Sequence, residues 1–383
     1  MPLSTQKPYQ LCTRCVMDTS DPEIVFNENG ECNHCTEFFE KAGTLWFPNE
    51  EGEKKLAAIL EKVKNSGKNN TYDCILGLSG GVDSSYLALK VRDMGLRPLV
   101  VHIDAGWNSE LAVANIEAIV KHCKYDLYTH VVDWEDMRDL QLAYLRSGVA
   151  NQDVPQDHAF FATLYHLANR HGIRYVLSGG NLATESIFPD SWHGSAMDAI
   201  NLKAIHKKFG EKKLVQYKTI SFFEYYFWYP LVKKMRTIRP LDYMHYNKAE
   251  ALDELKNSFG YKAYERKHGE SQLTKFFQNY YLPEKFGYDK RRPHLSSMIV
   301  SEQIKRDEAL DILKEHLYNP HELEDDITYF CKKLRISRND FDDLMRQPNR
   351  TYSDFRNWNV YYKILKRVQG FVSKTTGKTI KIH

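Results

Sequence analysis

No apolar run in this chain approaches the length of a membrane-spanning helix, so no helical span is expected. Its first residues, Met1-Pro2-Leu3-Ser4-Thr5-Gln6-Lys7, lack a signal-peptide core, and a cytoplasmic protein is the expectation. An excess of one charge is missing too. Against 53 Lys and Arg stand 50 Asp and Glu, a formal charge of +3, which is too mild to argue for a nucleic-acid partner. Internal repeats and low-complexity tracts are absent. Cysteine is scarce and odd in number, seven in all, which argues against a disulfide framework. What remains is the profile of a soluble enzyme, 42% hydrophobic and 27% charged over 383 residues, long enough for more than one domain.

One stretch organises the rest: Asp73-Cys74-Ile75-Leu76-Gly77-Leu78-Ser79-Gly80-Gly81-Val82-Asp83-Ser84-Ser85. A short apolar run ends in Ser-Gly-Gly and a helical pattern follows, so it reads as strand, glycine turn and helix start. Glycines let backbone N–H groups approach an anion, and a helix N-terminus adds partial positive charge. The hydroxyls of Ser79, Ser84 and Ser85 can join that cradle, with Gly80, Gly81 and Val82 supplying backbone. Asp83 beside phosphates makes sense only with a Mg²⁺ between them. The lysine of a Walker A loop is missing. Ser-Gly-Gly-x-Asp-Ser after a strand resembles the PP-loop of ATP pyrophosphatases, which split ATP between its α- and β-phosphates. That resemblance implies ATP as substrate.

Further along, strands are expected at 73–78, 97–103, 127–132 and 175–178, separated by helices near 83–95, 109–123, 134–147 and 157–171. Alternating strands and helices, with near-continuous apolar strands, predict an α/β fold with a parallel sheet covered on both faces, of the Rossmann-like PP-loop type. Ligands in such sheets bind beyond the carboxyl ends of the strands. At the second strand end the family resemblance makes His102, Ile103 and Asp104 candidates for the adenine and ribose, although His102 can equally be a satisfied core histidine. The third end, Gly179-Gly180-Asn181-Leu182-Ala183-Thr184-Glu185, resembles the corresponding segment of NAD synthetases. There the acidic residue shares magnesium with the loop aspartate, a role that carries over to Glu185 beside Asp83.

Four of the cysteines form two knuckles, Cys12-Thr13-Arg14-Cys15 and Cys32-Asn33-His34-Cys35, sixteen residues apart. Four thiolates at this spacing suit a tetrahedral structural zinc, with His34 as an alternative ligand. The expected organisation is a zinc ribbon over 1–48, a PP-loop domain over 49–245 and a mostly helical domain over 246–383. Residues 236–242 read as the approach to that last domain, and the basic tail 374–383 as mobile. Residues 225–230, Tyr-Tyr-Phe-Trp-Tyr-Pro, suit buried packing or an interface. The loop Phe188-Pro189-Asp190-Ser191-Trp192-His193 faces the nucleotide edge and can recognise a second substrate or merely pack. Lys275, Arg291 and Arg292 are candidate cations for phosphate charge, or part of a solvated basic loop.

The cysteine knuckle continuing Val16-Met17-Asp18, the PP-loop, Gly180-Asn181 and the segment 285–297 with Tyr288-Asp289 and His294-Leu295-Ser296 together resemble the N-acetyl sugar amidotransferases of bacterial O-antigen (lipopolysaccharide) biosynthesis. The resemblance covers most of the chain. It implies conversion of an acetamido group on a nucleotide-linked sugar, a UDP-diacetamido uronic acid, to an acetamidino group with ammonia, ATP and Mg²⁺. It also implies a separate glutaminase subunit. Consistently, Cys74, Cys123 and Cys331 occupy no glycine-flanked nucleophile elbow. Two other readings compete: a tRNA thiolase, which needs further catalytic cysteines, and a non-catalytic ATP sensor, which would have no use for two magnesium-competent carboxylates.

Overall fold

The computed structural model describes residues 8–264 and 269–376. Five strands, β1 (Cys74–Gly77), β2 (Pro98–Asp104), β3 (Asp126–Val131), β4 (Tyr175–Leu177) and β5 (Arg236–Ile238), form one parallel sheet in the order β3-β2-β1-β4-β5. Seven helices accompany the first four strands: α1 (Asn33–Leu45), α2 (Glu50–Gly67), α3 (Val82–Asp93), α4 (Glu110–Cys123), α5 (Trp134–Ser147), α6 (Val154–Arg170) and α7 (Leu182–Glu185).

The central strands alternate faces as a pleated strand must. Ile75, Leu99, Val101 and Ile103 enter a core with α5 and α6. Cys74, Leu76, Leu78 and Val100 enter a second core with α3 and α4 on the opposite face. Both faces are covered, so β1 and β2 read as unbroken apolar runs. Each fully buried aliphatic side chain there contributes roughly 1.5–3 kcal/mol. From β1 the chain steps outward through β2 and β3, then returns to β4 on the other side of β1. The order reverses between β1 and β4, which is where a ligand crevice opens in such sheets.

Two features depart from the sequence reading. β3 is not covered on both faces: it is an edge strand, largely exposed, with Val131 67% accessible. Residues 236–238, expected to lead into another domain, instead add β5 to the sheet, pairing with β4. Three mostly exposed residues carry no alternation from which a strand can be read.

The cysteine knuckles and α1 form a small cluster with Phe38 that also takes in Ile187 and Val300. Residues 224–232 form a π-helical segment that buries Tyr226 beside Trp358 and Tyr229 beside Tyr165, which is the packing role. The region beyond 246 is helical among the described residues, but its side chains complete the earlier cores. Tyr246, Leu255 and Tyr261 join the α3 face, and Trp358 and Leu365 join the α5/α6 face. A third cluster, with Phe276, Phe330 and Phe341, also takes in Trp107 and Leu142. The tail beyond 376 lies outside the described residues.

Candidate functional site at the switch point

The loop after β1 is folded by its own hydroxyls. Ser79 Oγ lies 3.1 Å from Ser84 Oγ and accepts from Gly81 N at 3.3 Å, while Ser84 Oγ donates to the Gly81 carbonyl at 3.2 Å. Gly80 has φ +86°, and a Cβ there would lie 2.9 Å from the Ala112 carbonyl, so only glycine fits. The Gly80 carbonyl accepts from Tyr261 and Tyr264 hydroxyls at 2.8 and 3.0 Å. In a trans peptide this turns the following N–H the opposite way. Gly81 then caps α3 with no side chain of its own over the helix start. The first-turn donors of α3 therefore lie behind a bare glycine, a favourable anion site. Val82 opens the helix half-buried, and Ser85 is fully buried.

The second glycine loop presses against the first. A Cβ on Gly179 would sit 3.1 Å from Asp83 C and from Ser84 N and Cα, so the approach depends on a missing side chain. Asn181 caps α7 by accepting from Thr184 N, and its Nδ2 donates to the Gly179 carbonyl at 3.2 Å and reaches Asp83 Oδ1 at 3.5 Å. The Tyr246 hydroxyl donates a short hydrogen bond to the same Asp83 oxygen. Burial, then the charges of Asp83 and Glu185, push that hydroxyl well above the tyrosine range. Tyr246 is thus a neutral hydrogen-bond donor to Asp83. Glu185, exposed at the end of α7, brings Oε2 to 3.7 Å from where a Gly180 Cβ would stand. Two carboxylates converging on one crevice offer hard oxygen ligands, and this donor set fits a Mg²⁺.

Behind this loop, Asp242 Oδ1 accepts from Leu182 N at 2.7 Å, and Arg239 Nε bonds the Gly180 carbonyl at 3.0 Å and Asp242 Oδ2 at 2.9 Å. Burial pushes the Asp242 carboxyl up to about 6, against Arg239 and the Leu182 amide. Sequence reasoning passed over Asp242, Arg239, Tyr246, Tyr261 and Tyr264. They lie in polar segments without motif, and only folding brings them to the loops.

His102 is buried with both ring nitrogens engaged. Nδ1 donates to the Leu78 carbonyl at 3.1 Å and Nε2 accepts from Asn108 Nδ2 at 2.9 Å. Burial lowers its pKa, so it stays neutral and ties the end of β2 to the base of the PP-loop. Ile103 belongs to the α5/α6 core, and Asp104 Oδ1 accepts from Gly106 N at 2.8 Å. Lys275, Arg291 and Arg292 are engaged with other groups. Lys275 pairs with Asp326 at 2.9 Å, and Arg291 binds Asp289 and the carbonyls ending the helix Arg306–Lys314. Arg292 holds the Val16 carbonyl at 2.9 Å and Asp18 at 3.1 Å. The loop 188–193 is packed: Phe188 stacks on His193, Trp192 stacks on Tyr288 and is fully buried, and Lys290 donates to His193 Nε2 at 2.9 Å.

The four sulfurs of Cys12, Cys15, Cys32 and Cys35 lie within 4.8 Å of one another, with pairs at 3.6, 3.7 and 3.9 Å. A zinc tetrahedron with bonds of about 2.3 Å has edges of ~3.8 Å, so the set fits zinc. Hydrogen bonds from Cys15 and the other two hold the Cys12 thiol far below its ordinary range, while Cys12 and its neighbours push Cys35 far above. Sulfurs so close and so buried need a cation to ionise together. His34 is not a ligand: it pairs with Asp21 at 2.7 Å, which also accepts from Ser191.

Residues 270–369 match the family described as LPS biosynthesis protein WbpG-like, C-terminal domain. No curated protein matches the chain. Similar solved structures include the NMN synthetase of Francisella tularensis, 19% identical with a TM-score of 0.28 over 35% of this chain and 55% of that one. The NH3-dependent NAD synthetase of Campylobacter jejuni is 14% identical, with a TM-score of 0.26 over 34% and 57%. The NAD+ synthetase of Burkholderia pseudomallei is 15% identical, with a TM-score of 0.30 over 78% and 95%. The chain thus spans little more than half the length of the first two. The fold assignment rests on strand order and on the paired glycine loops. Residues 270–369 are thus similar to a WbpG-like C-terminal domain, and the first of them, Glu270, brings its carboxylate near Gly81 of the loop after β1.

Proposed function

We propose that the chain is an ATP-dependent, AMP-forming amidotransferase acting on the acetamido carbonyl of a nucleotide-linked sugar in lipopolysaccharide biosynthesis. The observation that carries this reading is the convergence of Asp83 and the Gly179–Glu185 loop on the anion cradle Ser79–Gly81 at the sheet's switch point. The C-terminal match supports the substrate class.

An amide carbonyl is a poor electrophile because oxide cannot leave. The amide oxygen attacks the α-phosphorus of ATP, the bond to the β-phosphate breaks, and pyrophosphate departs. Ammonia adds to the resulting O-adenylyl imidate carbon, AMP leaves with the former amide oxygen, and loss of a proton gives the amidine. The loop N–H groups and the α3 N-terminus hold the departing pyrophosphate. Asp83 and Glu185 would hold a Mg²⁺, which when bound supplies charge neutralisation on the phosphates. Tyr246 and Asn181 keep Asp83 oriented. A protein nucleophile is not required.

The thiolase reading loses support from the thiols themselves. Cys74, Cys123 and Cys331 are all buried, and burial raises each of them, Cys123 to about 11. Neutral buried thiols do not carry sulfur. Ammonia reaching the imidate from a separate glutaminase belongs to the same proposal. The test is release of AMP and pyrophosphate from ATP with ammonium across a panel of nucleotide-linked acetamido sugars, with mass spectrometry of each sugar. A mass loss of about one unit, oxygen replaced by NH, is the expected result. ADP and phosphate instead would overturn the proposal.

A further inference from the structure

The C-terminal helix Asn359–Thr376 meets the α5/α6 core through Leu365, with Trp358 just ahead of it. Its apolar stripe is wider than that contact requires. Val360, Tyr361, Ile364 and Val368 adjoin Leu365 on the helix surface, and all four are exposed, Val360 by 65% and Val368 by 54%. The π-helical segment beside it is built the same way. Its inner side buries Tyr226 and Tyr229, while Phe223, Leu231 and Val232 face outward, Phe223 with 61% of its surface accessible. Rings join the two stripes. Phe223 stacks on Phe227 with centroids 5.8 Å apart, Phe227 lies 6.3 Å from Phe222, and Phe222 lies 5.8 Å from Tyr361. One apolar surface therefore crosses both elements, and an extended apolar patch marks a binding face.

The rim of this surface carries one sign of charge. The chain as a whole is nearly balanced, 53 cations against 50 anions, yet beyond Asp354 its sequence has no Asp or Glu, while Lys363, Lys366, Arg367, Lys374, Lys378 and Lys381 follow. Lys363 and Arg367 are exposed and stand one turn apart along the flank of the Val360–Ile364–Val368 stripe. Lys233 and Lys234 close the π-helical segment, Lys233 with its Nζ 5.4 Å from the centre of the Trp228 ring. The acid of that segment, Glu224, is turned back on Ser221, accepting from its N and Oγ at 2.8 and 2.7 Å.

A second copy of the chain on this face would set these cations against their own equivalents, and like charges brought together oppose association. An apolar stripe flanked by Lys and Arg, with Trp and Tyr among its members, suits instead the headgroup region of a bilayer, where the apolar side enters the acyl boundary and the cations meet anionic lipid. No helix among the described residues is long and apolar enough to cross a membrane, so the contact is with one leaflet. We propose that the face formed by the C-terminal helix and residues 223–234 docks the protein peripherally on an anionic phospholipid bilayer. This inference does not rest on the reaction assigned above.

The test is co-sedimentation of the full chain with vesicles of phosphatidylcholine alone and of phosphatidylcholine mixed with phosphatidylglycerol. Binding is expected on the mixed vesicles, weak on the neutral ones and suppressed by salt. Replacing Lys363 and Arg367 together by Gln should weaken it roughly fivefold for each cation removed. Leu231→Ser combined with Ile364→Ser, both at exposed positions, should weaken it by about tenfold or more at an unchanged melting temperature. Val131→Ser, on the edge strand β3 at the far side of the sheet from β5, should leave it as it is. Absence of binding by the wild-type chain would overturn the proposal and leave an acidic protein as the occupant. Equal binding to neutral vesicles, or undiminished binding by the Leu231→Ser, Ile364→Ser variant, would also overturn it. A dimer in sedimentation equilibrium that this same variant dissolves would give the face to a second copy instead.

Discussion

In the proposed reaction the site turns on Asp83, and the environment of this residue differs from that of a surface carboxylate. Tyr246 donates to one of its oxygens and Asn181 approaches the same atom. Groups that orient a metal ligand typically change affinity or activity by about 10–100-fold when removed. Tyr246→Phe is therefore expected to lower kcat/KM for ATP at limiting Mg²⁺ by about tenfold, and to lose most of that deficit at saturating Mg²⁺. A deficit independent of Mg²⁺ would separate Tyr246 from the metal. Asp242 makes a different prediction. Burial raises its pKa to about 6, so the folded protein holds that proton more tightly than the unfolded chain does. Stability from this group is then greatest below the ordinary carboxylate range and declines as pH rises toward 6. Asp242→Asn is expected to flatten the decline in urea midpoint between pH 4 and pH 7. An unchanged slope would count against the shift.

At the scale of elements, the meeting of the two glycine loops is set by what is absent. Gly179 packs its bare Cα against the Asp83–Ser84 peptide. Gly179→Ala must move backbone by several tenths of an ångström, and misplacement of that order at a catalytic site is costly. The expected result is a loss of about 100-fold in kcat with a melting temperature lower by only a few degrees, measured by pyrophosphate release and calorimetry. The cysteine knuckles make the second prediction here. Arg306 binds the Cys12 and Cys15 carbonyls at 2.9 and 3.0 Å, and Arg292 binds Val16. Cys32→Ser is expected to abolish bound zinc, measured by elemental analysis, and to free both arginines. Faster proteolysis of the segment 291–306 should follow; unchanged protection would mean the knuckles are not its support.

Across the whole molecule, the C-terminal region is built into the cores that precede it. Tyr246 and Tyr261 pack on the α3 face, Asn201 Nδ2 binds the Tyr352 carbonyl at 3.1 Å, and Val149 bridges Arg350. One cooperative unfolding transition is expected, with calorimetric and van't Hoff enthalpies in agreement. A chain ending at residue 269 should lose its near-ultraviolet circular dichroism. Two separated transitions, or a folded 1–269 fragment, would show the regions to be independent.

The local signals were legible where chemistry is local. Ser79-Gly80-Gly81-x-Asp83 spells a strand-to-helix glycine turn within a few bonds, and the Cys-x-x-Cys pairs spell a four-sulfur cluster. The apolar runs of β1 and β2 announce a parallel sheet because both faces must be covered. What sequence alone could not decide is where distant polar residues land. The basic run at 285–297 reads like a phosphate clamp, yet Arg291 and Arg292 bind a helix end and the cysteine knuckle. Glu270 and Tyr246, with no motif, stand at the loop instead. β5 is likewise defined by its partner strand, not by its three residues. Short-range order follows from backbone conformation and burial period, which a sequence carries in itself. The placement of a lone charge depends on which surfaces pack together, and that only the tertiary structure decides.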